Sequence, residues 1–157
     1  MEFLGYVREN GKVGARNHVA IIPSVNCANE VSKRICQAVE NTRSLNHHQG
    51  CCQLPPDLER ATLTLTALGC SPNVGAALIV SLGCEGTDVD YMAQEIAKTG
   101  KPVEVIRIQE LGGTVKAIDR GIEKARELNR AIQGCKRQPV DMSECVMSIK
   151  CGASGGI

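Results

Sequence analysis

The chain has no tryptophan, one phenylalanine (Phe3) and two tyrosines (Tyr6 and Tyr91) among its 157 residues. A nucleic-acid platform of stacked aromatic side chains is therefore not available. Neither sign of charge dominates, since 18 lysines and arginines face 17 aspartates and glutamates, and a basic face for a phosphate backbone is not supported either. Long apolar runs are also lacking. The two longest, Val19 to Ile22 and Gly75 to Val80, fall far short of the ~20 residues that span a bilayer, and the opening residues hold no signal-peptide core. These absences give nucleic-acid and membrane partners little support, and the expected location is the cytoplasm. No Gly-x-Gly-x-x-Gly follows the first apolar strand, where Pro23-Ser24-Val25-Asn26-Cys27 stands, and there is no Walker loop, so dinucleotide and ATP binding lose their usual signal.

Cysteine, by contrast, is plentiful. Nine are present, an odd number and below the density of a disulfide scaffold, which argues for reduced thiols. Cys36, Cys70 and Cys135 fall in or near helical patterns and read as small buried hydrophobes. Cys51, Cys84 and Cys151 each adjoin a glycine, where a chain turns and side chains become accessible.

A core without large aromatics must be built from Val, Ile, Leu and Ala, as in a parallel sheet covered by helices. The pattern agrees. Gly5 to Gly14 reads as a turn or short hairpin, His18 to Pro23 as a buried strand, and Asn26 to Asn41 as a helix with Ser24 or Asn26 as N-cap. Thr42 to Gln53 lapses into a polar loop. Pro55 opens a helix to about Leu68, Ala76 to Leu82 forms a second strand, and Thr87 or Asp88 caps a helix to about Ala97. A third strand at Val103 to Ile108, a helix from Thr114 to about Gln133, and a fourth strand at Glu144 to Ile149 complete the reading. The expectation is a single α/β domain over 1–157, doubly wound in three layers, with about four mostly parallel strands of the Rossmann-like or flavodoxin-like kind. Ligands of such sheets bind beyond the carboxyl ends of the strands, where Ser24 to Cys27, Gly83 to Glu85 and Cys151 fall.

Cys84 and Cys151 at two strand ends, with His47 and Cys51 on a loop near the same edge, make a candidate metal cluster; incidental loop cysteines are the competing reading. Thiolates and imidazole suit zinc, iron or an iron–sulfur cluster rather than magnesium or calcium, and no zinc-ribbon spacing is present. Glu85 reads either as a general base or ligand or as an acidic residue favouring the start of the next helix. Arg16 and Asn17 suit bidentate binding of a carboxylate or ordinary solvation.

Phe3-Leu4-Gly5-Tyr6, Asn10-Gly11-Lys12-Val13-Gly14-Ala15-Arg16-Asn17, Ser24-Val25-Asn26-Cys27, His47-His48-Gln49-Gly50-Cys51, Leu82-Gly83-Cys84-Glu85 and Lys150-Cys151-Gly152 stand in an order that resembles the altronate dehydratase and galactarate dehydratase family. That family also includes the large subunit of sulfolactate sulfo-lyase. The resemblance implies iron-dependent loss of water from a sugar acid such as altronate or galactarate, giving a 2-keto-3-deoxy acid; the sulfo-lyases expel sulfite instead. It further implies a ferrous ion, an iron–sulfur cluster or another divalent metal on His47, Cys51, Cys84 and Cys151. Glu85 and His47 are assigned acid–base work, Glu85 alternatively orientation, and Arg16, Asn17, Ser24 and Asn26 are assigned to the substrate carboxylate or hydroxyls. Family members are longer, so an antifreeze-like domain and a carboxy-terminal domain are expected as partners, on the same chain or another subunit, in a homo-oligomer, with the isolated chain inactive. Ala153, where the family has glycine, and Cys52 depart from its pattern. A non-catalytic scaffold domain and a hydrolase or redox protein using Cys51 or Cys84 are the alternatives.

Overall fold

The computed structural model describes residues 1–150 and Gly152. The expected hairpin is formed by β1 (Glu2–Val7) and β2 (Val13–Gly14), antiparallel with Tyr6 opposite Gly14. The other edge of β1 pairs antiparallel with β7 (Gln138–Asp141), giving a small β2-β1-β7 sheet. Between these lie β3 (His18–Pro23), a 3-10 turn (Asn26–Ala28), α1 (Asn29–Ala38), β4 (Thr42–Ser44), α2 (Pro55–Cys70), β5 (Val74–Ser81), α3 (Val89–Ala97), β6 (Val103–Arg107) and α4 (Thr114–Ile132).

The four strands β4-β3-β5-β6 form a parallel sheet in that order. Every residue of β5 is buried, because helices cover both faces and leave no polar side to the strand. The two-residue period of the strands sorts the core. Val19, Ile21, Leu78 and Val80 face Val31, Ile35, Ala125 and Leu128 of α1 and α4. Ala20, Ile22, Ala77 and Ile79 face Leu65, Met92 and Ile96 of α2 and α3. The doubly wound, three-layer α/β architecture is therefore present. Close approach of α4 to α1 is set by Gly121, where an added Cβ would lie 2.2 Å from Ile35 Cδ1.

Two strands differ from the sequence reading. The fourth strand of the parallel sheet is β4, inside the polar stretch expected to be a loop, and it pairs only with β3. Residues 145–150 form no strand: Val146, Met147 and Ile149 are at least 79% exposed, and an apolar run with no neighbour to pair with has nothing to hold it extended. The amino end of α1 also differs. A 3-10 turn precedes it, and Ala28 stands at the N-cap with no side-chain bond, because Ser24 and Asn26 are engaged elsewhere. By contrast Asp88 caps α3 as expected, accepting from Tyr91 N at 2.9 Å. Cys135 is exposed and Cys36 and Cys70 are half-buried, so the three are less deeply placed than their pattern suggests.

Candidate functional site

From β3 the chain winds outward through α1 to β4, then crosses through α2 to β5 and winds the other way to β6. This reversal opens a crevice beyond the carboxyl ends of β3 and β5, where doubly wound folds take their ligands. Ser24 leaves β3 and Glu85 leaves the turn after β5. Across the crevice, Ser24 Oγ donates to Glu85 Oε1 at 2.5 Å. Thr87 Oγ1 donates to Ser24 O at 2.9 Å and locks the two loops together.

The loop bearing His47 and Cys51 is fastened across both. Asn26 N donates to Gln49 O and Gly86 N donates to Gly50 O, each at 3.0 Å. Gly50 has φ +102°, and an added Cβ would lie 2.5 Å from Ser24 O, so no other residue fits this crossing without displacing the β3 loop. His47 Nε2 donates to Pro23 O at 2.7 Å while its Nδ1 accepts from Gln49 N at 3.1 Å, which fixes one tautomer and leaves the lone pair on Nδ1. Asn29 Nδ2 donates to His47 O at 2.7 Å.

Glu85 is the most constrained acid of the crevice. Besides Ser24, its carboxylate accepts from Gly83 N at 2.6 Å and Leu82 N at 3.2 Å. Burial pushes its pKa up, but the hydrogen bonds from Ser24, Ser81 and the local backbone outweigh this and hold it below the usual carboxylate range. An ionised, multiply bonded carboxylate fixes the 82–84 turn and with it Cys84. Cys27, Cys51, Cys52 and Cys84 are all exposed at or near this edge, and the eight described cysteines are all free. Cys51 Sγ and Cys52 Sγ lie 3.6 Å apart, and the neighbouring thiol raises the pKa of Cys51.

The structure thus brings Ser24, Asn26, His47, Cys51, Cys84 and Glu85 to one edge. Cys151 lies outside the described residues. Arg16 and Asn17 do not share this edge: they precede β3, at the far end of a six-residue strand that spans roughly 20 Å. Asn17 is tied there by Arg8 Nη1 at 2.8 Å and by its own bond to Ile132 O at 3.0 Å. A cation nearer the crevice is Arg60 of α2, which lines a cleft of about 460 Å³ with His47, Gln49, Gln53 and Asp57. Only its position on a helix beside the loop marks it, and in sequence it reads as a solvated helix residue.

Thiolates and an imidazole are donors that suit iron. Their number falls short: among the described residues no group of three or more His, Cys, Asp or Glu side chains converges closely enough to hold a metal ion. A metal at this edge would need ligands from beyond those residues.

Residues 5–133 match the family model for the second domain of D-galactarate dehydratase/altronate hydrolase. This chain belongs to that family. Over 154 residues it is 38% identical to (2R)-sulfolactate sulfo-lyase subunit beta of Chromohalobacter salexigens, covering 97% of this chain and 38% of the relative. It is 29% identical to the altronate dehydratases of Bacillus subtilis and Escherichia coli, covering 98% and 97% of this chain and 33% and 32% of those enzymes. The chain therefore spans about a third of the length of the curated relatives it matches. The family motifs named above map onto the crevice for Ser24-Val25-Asn26-Cys27, His47 to Cys51 and Leu82 to Glu85, and onto the opposite edge for Arg16-Asn17. Among the described residues no helix is long and apolar enough to cross a membrane.

Proposed function

We propose that this chain is the central domain of a cytoplasmic carbon–oxygen lyase that dehydrates a sugar acid, such as altronate or galactarate, to a 2-keto-3-deoxy acid. The observation that carries the reading is the meeting of three separated family motifs at the β3/β5 crevice, with Glu85 bonded to Ser24 and the His47 loop fastened over both. In the reaction the C2 proton, α to the carboxylate, is removed, the C3 hydroxyl leaves as water, and the resulting enol becomes the 2-keto acid. The weakly acidic C2 proton requires that the developing charge on the carboxylate be stabilised. Arg60 and the Gln53 amide supply a cation and a donor in the cleft beside His47. The Nδ1 lone pair of His47 is the proposed proton acceptor, reached by releasing its bond to Gln49 N. Asn26, which is exposed, is the proposed partner of substrate hydroxyls; Ser24 is fully buried and holds Glu85 instead, and Glu85 acts as the positioning residue for the Cys84 turn. Iron, as a ferrous ion or in a cluster, or another divalent metal, is proposed with Cys84 and Cys151 among its ligands and the rest from beyond the described residues; His47, with Nε2 on Pro23 O and Nδ1 as the proton acceptor, has no nitrogen left for it. When bound, the metal would supply Lewis acidity toward the departing group.

A second reading, loss of sulfite from a sulfonated hydroxy acid, is favoured by the 38% identity to the sulfo-lyase subunit beta. Both readings share the α-proton step and differ in the leaving group. The length of the relatives supports further domains or subunits as working partners and an inactive isolated chain. The test is an anaerobic assay with ferrous iron, on the chain alone and on the chain mixed with the separately expressed remainder of each relative, with altronate, galactarate and sulfolactate offered in turn. Release of 2-keto acid from a sugar acid only in the mixture supports dehydration, and sulfite release supports the second reading. No product from any combination would sink both.

A further inference from the structure

At the amino edge of the parallel sheet, on the opposite side from the crevice, lies a cavity of about 470 Å³ whose lining includes Arg16, His18, Arg43 and Arg137, together with Asn17 and Asn41. No carboxylate lines it, and none of the three arginines has an acidic partner among the described residues. All three are exposed, and the fold brings them to the lining of one cavity without a counter-charge. Arg137 stacks over the Tyr6 ring with its guanidinium carbon 5.3 Å from the centroid. Arg43 Nη1 donates to Thr42 O at 2.7 Å, which leaves its other N–H groups free. The backbone of Arg16 is held from both sides, its N–H by Asn73 Oδ1 at 3.1 Å and its carbonyl by Arg8 Nη2 at 3.0 Å. His18 Nδ1 meets Asn41 Oδ1 at 2.9 Å, and the Asn41 amide is oriented by its own bond to Asn17 O at 2.9 Å, so Nδ1 carries the proton. In that tautomer Nε2 is an acceptor, so the anion is left to the arginines.

The carboxyl end of α4 borders the same cavity, and bare carbonyls there would repel an anion. They are not bare. Ile132 O accepts from Asn17 Nδ2 at 3.0 Å and from Cys135 N at 3.2 Å, and Arg130 O accepts from Gln133 N at 3.3 Å.

We propose that this cavity is a second binding site, for a small multivalent oxyanion, with the planar guanidinium groups of Arg16, Arg43 and Arg137 as its charged partners. Phosphate and small dicarboxylates share the required chemistry of closely spaced oxygens bearing more than one negative charge. The site is separated from the crevice by the length of β3, and it does not depend on the lyase reading.

The test is calorimetric titration of the full chain at low ionic strength with inorganic phosphate and, separately, with malonate, against sodium chloride at matched ionic strength. Saturable one-to-one binding of either anion is expected, weakened roughly tenfold or more in Arg16→Gln and in Arg43→Gln, and unchanged in Ser24→Ala at the crevice and in Arg34→Gln on the surface of α1. The anion bound more tightly names the source. Thermal unfolding without anion confirms that each variant is folded. No saturation with either anion, or equal affinity in the Arg16→Gln, Arg43→Gln double variant, would overturn the proposal.

Discussion

Glu85 shows at the scale of one residue how the crevice is held. Its carboxylate accepts from a hydroxyl on β3's loop and from two backbone N–H groups of its own turn, so its replacement should be felt in both loops. Glu85→Gln is expected to lose about 1–3 kcal/mol of stability at pH 7, since the amide keeps the shape but not the charge-assisted acceptor. The folded pKa of Glu85 is depressed, so the stability it adds is present above the unfolded carboxylate value and is lost as pH falls through the folded one. Denaturant titrations of both proteins should therefore converge as pH is lowered below about 4.5. Lys101 behaves in the opposite sense. It is 6% exposed, donates to Gly69 O at 3.0 Å and Ser71 O at 2.6 Å at the end of α2, and burial lowers its pKa to about 8. Between that value and the unfolded 10.5 the unfolded chain binds the extra proton, so the stability of the wild type relative to Lys101→Met should rise with pH across that window. A flat difference would contradict the buried-lysine account.

Elements built on apolar periodicity were legible in the sequence, and those built on a single neighbour were not. β3, α2, β5, α3, β6 and α4 follow from buried runs and helical spacing bounded by proline, glycine and Asp88. β4 was not legible, because a three-residue edge strand has one partner and buries little more than Thr42, which leaves no alternation to read. The run at 144–149 misled for the converse reason: its residues are apolar, but among the described residues no strand pairs with it. Of the stretch from Thr42 to Gln53 read as a loop, only the part after β4 is one; it lies beside the strand ends, although the backbone bonds from Asn26 to Gln49 and from Gly86 to Gly50 leave no trace in the sequence. Gly50→Ala tests that crossing. With φ at +102° and Ser24 O only 2.5 Å from the new Cβ, about 1–3 kcal/mol of destabilisation is expected, together with faster alkylation of Cys51 as the loop lifts. Unchanged stability and thiol reactivity would mean that the loop is not held as described.

On the scale of the whole molecule, the two edges of one parallel sheet carry different chemistry. The carboxyl edge gathers Ser24, His47, Cys51, Cys84 and Glu85 at the point where the winding reverses, and a cavity at the amino edge gathers arginines with no carboxylate in its lining. The sequence motifs were enough to name the family, but they grouped Arg16 and Asn17 with Ser24 and Asn26, because adjacency in sequence does not show that a strand stands between them. Arg43 and Arg137 could not be joined to Arg16 before the fold was known, since one lies on β4 and the other just before β7. The central claim is that the carboxyl edge is the site of a lyase. It is tested most directly by the rate of 2-keto acid or sulfite release from the chain assembled with the remainder of a relative, comparing wild type with Cys84→Ser. A loss of at least about a hundredfold with an unchanged unfolding midpoint is predicted, as expected when an essential group at the reacting centre is removed. A Cys84→Ser rate within a few-fold of wild type would contradict the account.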